Sequence, residues 1–221
     1  LAGDSKEYRV EITFGISTAT GDSFGPVTDR FDASNLTEAA VREALPVFTG
    51  RIKQVPPMTS AIKQQGKKLY QLARLGIVID RPAREVYIHS LEYIGGKDWG
   101  RATPRALLHL HCSKGTYVRT LCEDLGNYLG CGAYMSFLVR TSAGIFKLDD
   151  AVTLEEIKEA AREGRLSEIV IPMEQVLPAM PVVTVKKGAI AAVTSGSILY
   201  QPGVSDMPKD IEPGVLVQLV G

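Results

Sequence analysis

The sequence predicts an α+β fold, and three observations point to it. Period-2 and period-3.6 segments follow one another without a regular βαβ alternation. The helical segments carry their own start and stop signals. After Pro178 the texture changes to short apolar runs among Gly and Pro, which reads as a small separate β module.

In chain order, Tyr8, Val10, Ile12 and Phe14 alternate with Arg9, Glu11 and Thr13, giving a half-buried strand from Tyr8 to Ile16. Thr18 to Gly25 is a turn-rich loop. Thr37 is placed to cap a helix running to about Phe48, with Pro46 marking a weak end. Lys68 to Leu75 is a short helix stopped by Gly76. Val86 to Ile94 is a strand. Leu108, Leu110 and Cys112 alternate with His109 and His111 in another. A helix from about Thr116 to Leu129 follows, with Val118, Leu121, Cys122, Leu125 and Leu129 at helical spacing. Phe137 to Arg140 is strand-like. Thr153 and Glu156 form a capping box, flanked by Val152 and Ile157 as a staple, for a helix ending near Gly164. Val182 to Val185, Ser197 to Tyr200 and Val215 to Val220 read as strands of the β module.

The 221 residues suit one medium domain plus a small appendage. No apolar run is long enough for a membrane span, and no signal-peptide pattern opens the chain. The three cysteines, Cys112, Cys122 and Cys131, fit neither a disulfide framework nor a metal motif, so a reducing, cytoplasmic setting is expected. The chain starts at Leu1 without Met and stops just after an apolar run, so one or both ends are expected to be cut. Net charge is zero, yet residues 51–79 carry Arg51, Lys53, Lys63, Lys67, Lys68 and Arg74 and no acid. Such a one-sign stretch is either a solvated basic face or a docking surface for a polyanion.

The run Cys112 to Gly126, CSKGTYVRTLCEDLG, is the strongest candidate for chemistry. A strand ends there, Gly115 permits a tight turn, and Thr116 is placed to cap the next helix. Lys114 stands where an anion would be welcome. Arg119 lies among apolar neighbours and, if buried, needs an anionic partner; a bidentate Arg–carboxylate pair is a common way to hold a catalytic acid. The competing reading is an ordinary capped turn with Arg119 snorkelling to solvent. Tyr8 is by itself a core aromatic, or a platform for a nucleobase. His109 and His111 share one strand face but lack a third ligand. Ser113 and Ser136 have no triad partner, and no Gly-rich phosphate loop occurs.

Four strings in order, KEYRVEITFGISTATGD, VPPMTSAIKQQGKKLYQLARLG, CSKGTYVRTLCEDLG and PVVTV, resemble bacterial tRNA pseudouridine synthases of the TruB type. The resemblance implies a pseudouridine-synthase fold with a mixed, mainly antiparallel sheet and flanking helices. The catalytic domain would span 1–177, with an RNA-gripping insertion at about 56–84, and 178–221 would begin an incomplete PUA-like RNA-binding module. It further implies isomerisation of the T-loop uridine (position 55) by base flipping. No cofactor, metal, membrane or protein partner is implied, and a monomer acting on the tRNA T-stem-loop is expected. Carried over by motif, Tyr8 would stack on the uracil, Tyr117 would line the pocket, Leu138 would close its apolar wall, and Arg119 would pair with the catalytic aspartate. Lys63, Lys67, Lys68, Arg74, Lys114 and Arg140 would meet RNA.

The sequence departs from the family twice. The Gly-Thr-Leu-Asp-Pro-like motif with the nucleophilic Asp is absent, Asp4 lying too close to Tyr8 to replace it. The loop usually written Thr-Asp-Thr-x-x-Asp has Ala19 at its second position and keeps Asp22. The nucleophile is therefore expected upstream of Leu1, and the chain alone is expected to be inactive. The alternatives are a non-catalytic RNA-binding or tRNA-folding protein on the same scaffold, and the guide-dependent archaeal and eukaryotic enzymes. The KKLYQLARLG insertion and the short C-terminal module favour the stand-alone bacterial type.

Overall fold

The computed structural model describes residues 5–60, 62–64, 66–77, 79–172, 176 and 180–221, without the side chains of residues 63, 64, 67 and 74. Contacts divide the chain into two compact units, Leu1–Ala151 and Val152–Gly221. The module boundary expected at 177/178 lies outside the described residues.

The first unit opens with β1 (Lys6–Phe14), the hairpin β2 (Ile16–Thr18) and β3 (Val27–Arg30), helix α1 (Glu38–Ala44) and β4 (Gly50–Gln54). The two-residue strands β5 (Lys63–Gln64) and β6 (Lys67–Lys68) and helix α2 (Leu69–Arg74) follow. The long strands β7 (Arg84–Lys97) and β8 (Arg105–Cys112), helix α3 (Val118–Tyr128), β9 (Ala133–Ala143) and β10 (Phe146–Lys147) complete the unit. Its sheet runs β10-β9-β1-β8-β7-β4, with every pairing antiparallel.

The alternation read in β1 sorts its side chains as expected up to Ile12, whereas Thr13, expected on the open face, is buried. Val10, Ile12 and Phe14 are fully buried, whereas Glu11 faces away and pairs with Lys97 and Arg105. Burying each large apolar side chain contributes about 1.5–3 kcal/mol. Helix α3 covers the buried face, where Val118, Leu121, Cys122 and Leu125 join Val10, Ile12, Leu108 and Leu110 in one core. All three cysteines are buried and unpaired; burial pushes their thiols up, as suits small apolar fillers.

Thr37 caps α1 by accepting from the Ala40 N–H. The helix stops at Ala44 and continues as a 3-10 turn, Leu45–Phe48, because Pro46 cannot donate to the α ladder. In the second unit, α4 (Leu154–Arg162) has its capping box, with Thr153 and Glu156 bonded reciprocally. Then come α5 (Leu166–Ile169), β11 (Val182–Val185), α6 (Lys187–Thr194), β12 (Val204–Asp206) and β13 (Gln218–Val220). β11 is central, antiparallel to β12 and parallel to β13. Two expectations fail here. Ser197 to Tyr200 is not a strand, and only Gln218–Val220 of the expected last strand forms a ladder. Lys187–Thr194, to which no element was assigned, is a helix, whose Ala-rich sequence outweighs the Gly and Ser around it.

Candidate active site

The site is assembled at the start of α3. After β8, Gly115 takes φ +82°, a left-handed turn that glycine tolerates best. Ser113 anchors the turn to β7: its N–H donates to Tyr87 O at 2.8 Å and its Oγ accepts from Tyr87 N at 2.9 Å. Thr116 does not cap the helix, contrary to expectation; its hydroxyl donates to Ser113 O at 2.9 Å. The N-cap is Tyr117, which has no side-chain cap of its own. Gln54, at the end of β4 and 1% exposed, does that work. Its Oε1 accepts from Tyr117 N at 2.9 Å and its Nε2 donates to Tyr117 O at 3.2 Å. Sequence reasoning passed over Gln54, since nothing local marks a glutamine as the partner of a residue 63 positions away.

Arg119, in the first turn, is partly buried and fully engaged on one side. Its Nη1 donates to Asp22 Oδ2 at 3.0 Å, Thr20 O at 3.3 Å and Thr59 Oγ1 at 2.8 Å, and Nη2 donates to Thr59 O at 3.2 Å. A guanidinium has five N–H donors. The Nε–Nη2 edge therefore keeps donors that meet no acceptor among the described residues. The carboxylate that Arg119 holds within this chain is Asp22, the acid that the departing loop retains. Its other oxygen accepts from Thr20 Oγ1 at 2.6 Å and Phe24 N at 3.1 Å. Burial alone would raise the Asp22 pKa, but the Thr20, Phe24 and Arg119 donors outweigh it and hold the carboxyl below its ordinary value.

The loop bearing Asp22 is docked on β9, with Met135 N donating to Gly21 O at 3.0 Å. Gly21 takes φ +70°, a left-handed conformation that glycine tolerates best, and packs close to the tip of the Glu123 side chain where the loop passes α3. Glu123, one turn after Arg119, has its pKa raised by burial and then by Asp124, with Arg119 opposing. Ala19, Thr20, Met58, Thr59 and Tyr70 line a cavity of about 610 Å³ beside this loop.

The remaining candidates divide. Tyr8 lies opposite Arg140, and Val10 opposite Leu138, in the β1–β9 ladder. Tyr8, Leu138 and Arg140 thus share the sheet face that α3 covers, and Tyr8 and Leu138 pack on its core. Burial and the nearby Cys112 raise the Tyr8 pKa, with the neighbouring Arg140 opposing. Tyr8 is therefore a neutral phenol at neutral pH. Arg119 stands apart from this trio in its bonds, which go to the 18–25 loop and to the insertion. Lys114 is an exposed turn residue, and Lys68 Nζ lies 5.7 Å from the Tyr70 ring centroid. The side chains of Lys63, Lys67 and Arg74 lie outside the described residues.

A larger cavity, about 710 Å³, opens on the opposite sheet face and contains none of the predicted site residues. Part of its lining is the Glu7–His109 pair at 3.2 Å. His89 and His111 are in ring contact at 4.4 Å. Among the described residues no His, Cys, Asp and Glu group could hold a metal ion, and no helix is long and apolar enough to cross a membrane.

Comparison with known proteins gives concordant results. Residues 1–118 match the family model described as TruB family pseudouridylate synthase (N terminal domain), and residues 119–178 match the tRNA pseudouridylate synthase B C-terminal domain. The tRNA pseudouridine synthase B of Pelotomaculum thermopropionicum is 59% identical over 221 residues, 100% of this chain and 70% of that protein. Its counterpart in Symbiobacterium thermophilum is 49% identical over 196 residues, 89% of this chain and 63% of that protein. The chain therefore spans roughly two thirds of the length of these relatives. Among solved structures, a Cbf5-Nop10-Gar1 complex aligns with TM-score 0.64 and 28% identity, covering 99% of this chain and 57% of that chain.

Proposed function

The chain belongs to the TruB family of pseudouridylate synthases, and on that premise we propose that it is the larger part of a tRNA pseudouridine synthase acting on the T-loop uridine. In that reaction the N1–C1′ bond of uridine breaks and a C5–C1′ bond forms; the proton lost from C5 is balanced by one gained at N1, so no cofactor is consumed. The uridine must leave its stack to be reached. Tyr8, neutral and opposite Arg140 in the ladder, offers it an aromatic face, with Leu138 beside Tyr8 as apolar wall and Tyr117 lining the pocket.

One observation carries the reading: Arg119 is fixed by Asp22, Thr20 and Thr59 while its Nε–Nη2 edge keeps donors for a second carboxylate. That edge fits a bidentate aspartate, which we place outside these 221 residues as the nucleophile. Lys63, Lys67, Lys68, Arg74, Lys114 and Arg140 are assigned to the RNA backbone, where they position rather than read the substrate. The catalytic module is taken as 1–177, with its RNA-gripping insertion at about 56–84, and the PUA-like module as 178–221. A monomer in the cytoplasm completes the proposal.

The test is pseudouridine formation in a T-stem-loop RNA. The isolated chain should bind the RNA without turnover, and the full-length gene product should turn over and lose that activity on Arg119→Ala. Turnover by the isolated chain would place the nucleophile within it and overturn this assignment.

A further inference from the structure

The basic insertion reaches the site through one residue. Thr59 offers Arg119 both of its acceptors, Oγ1 to Nη1 at 2.8 Å and the main-chain O to Nη2 at 3.2 Å. The Nη1 contact is shorter than the 3.0 Å contact of the same nitrogen with Asp22. Thr59 is in turn tied to α2: the neighbouring Ser60, 4% exposed, accepts from Tyr70 N at 3.1 Å, and Leu69, at the start of that helix, is 1% exposed. The two ends of the insertion are also held together, because Arg81 donates to Pro56 O at 2.9 Å. A continuous path of bonds thus runs from α2 through Ser60 and Thr59 to Arg119 and Asp22. A threonine suits this place: a neutral acceptor orients a guanidinium without neutralising the charge needed for a second carboxylate.

We propose that Thr59 is a positioning residue, through which seating of RNA on the basic insertion sets the orientation of Arg119. This rests on the functional reading above. The insertion then contributes more than affinity, since its docking completes the geometry at the first turn of α3. The effect falls on the chemical step rather than on RNA binding, because Thr59 itself is bonded to the arginine.

The experiment compares Thr59→Val, which keeps the shape and removes the side-chain acceptor, with Thr59→Ser, which keeps it. In the full-length gene product, Thr59→Val, which loses the Oγ1 bond but keeps the main-chain one, should slow single-turnover pseudouridine formation by about tenfold, the size expected for one hydrogen bond to a charged group. Its RNA dissociation constant and thermal midpoint should stay at wild-type values, and Thr59→Ser should restore the rate. An unchanged rate in Thr59→Val, equal losses in both variants, or a rate loss matched by lost RNA affinity overturns the proposal. If the wild-type protein forms no pseudouridine, the functional reading fails, and the coupling is then judged by arginine side-chain NMR on the chain. T-stem-loop RNA should shift the Arg119 guanidinium signals in wild type and Thr59→Ser but not in Thr59→Val; equal behaviour in all three overturns it.

Discussion

Helices α3 and α4 begin in opposite ways. The start of α4 is self-sufficient: Thr153 Oγ1 accepts from Glu156 N at 3.2 Å, and the Glu156 carboxylate accepts from Thr153 N at 2.6 Å. The start of α3 has no such local device. Thr116, which could have capped it, is spent on Ser113, and Gln54 from β4 holds Tyr117 instead. A local cap stabilises a helix wherever that helix lies. A cap supplied by a strand also fixes the helix to the sheet, so α3 starts at one defined place above the core. That is what the role proposed for Arg119 would require, because misplacing a catalytic group by about 1 Å can cost on the order of 100-fold in rate.

The largest stability effect should come from breaking the long-range cap. Gln54→Leu leaves the Tyr117 N–H without its partner, while the Tyr117 C=O keeps the Leu121 N–H at 3.1 Å; an unsatisfied buried group costs about 1–3 kcal/mol. Part of that is offset by the added apolar burial, so a net loss of about 1–2 kcal/mol is expected from denaturant unfolding. Amide exchange at Tyr117 and through the first turn of α3 should accelerate while α4 is untouched. Unchanged exchange in α3 would mean that the packing of Val118 and Leu121 alone positions the helix. The next effect is smaller: Thr153→Ala should cost about 1 kcal/mol and loosen only the first turn of α4. A loss there as large as that in Gln54→Leu would erase the distinction between the two starts.

The same contrast explains what was legible in the sequence. Thr37, Thr153 and Glu156 act within three residues of themselves, so their spacing announced them. The alternation of β1 was equally plain, because one face of that strand must be buried. Arg119 was marked as needing an anion by its apolar neighbours, but the anion's identity was not, since Asp22 lies 97 residues away. Gln54 and Thr59 carry no local signal at all; only the fold brings β4 and the insertion to α3. In the second unit, Lys187–Thr194 was hidden for a different reason. Its apolar residues form no clear stripe among Gly and Ser, so no element was read between the strands expected at 182–185 and 197–200. The family strings filled the gap for Tyr8 and Leu138, whose placement on one sheet face then followed from the β1–β9 register.

The smallest expected effect separates the two helices by pH. Glu156 of α4 is held below its ordinary pKa of 4.5 by the Thr153 N–H and hydroxyl. A lowered folded value means stability present above 4.5 and lost as pH falls through the folded pKa. Glu123 of α3 has the opposite shift, raised by burial and by Asp124, against the attraction of Arg119 and Arg81. Between 4.5 and its raised value the folded state binds more protons than the unfolded one, so stability falls as pH rises through that window. Acidification from neutrality should therefore first strengthen protection in α3 and only below about 4.5 weaken it in α4. Asp22, also lowered, adds an acid-side loss to the α3 region, at pH values below its ordinary 3.8. Protection factors measured against pH should show these two slopes, with Glu123→Gln removing the first and Glu156→Gln the second. If Glu123→Gln leaves the α3 slope intact, the carboxylate beside Gly21 is solvated, and the close passage of the 18–25 loop is not what perturbs it.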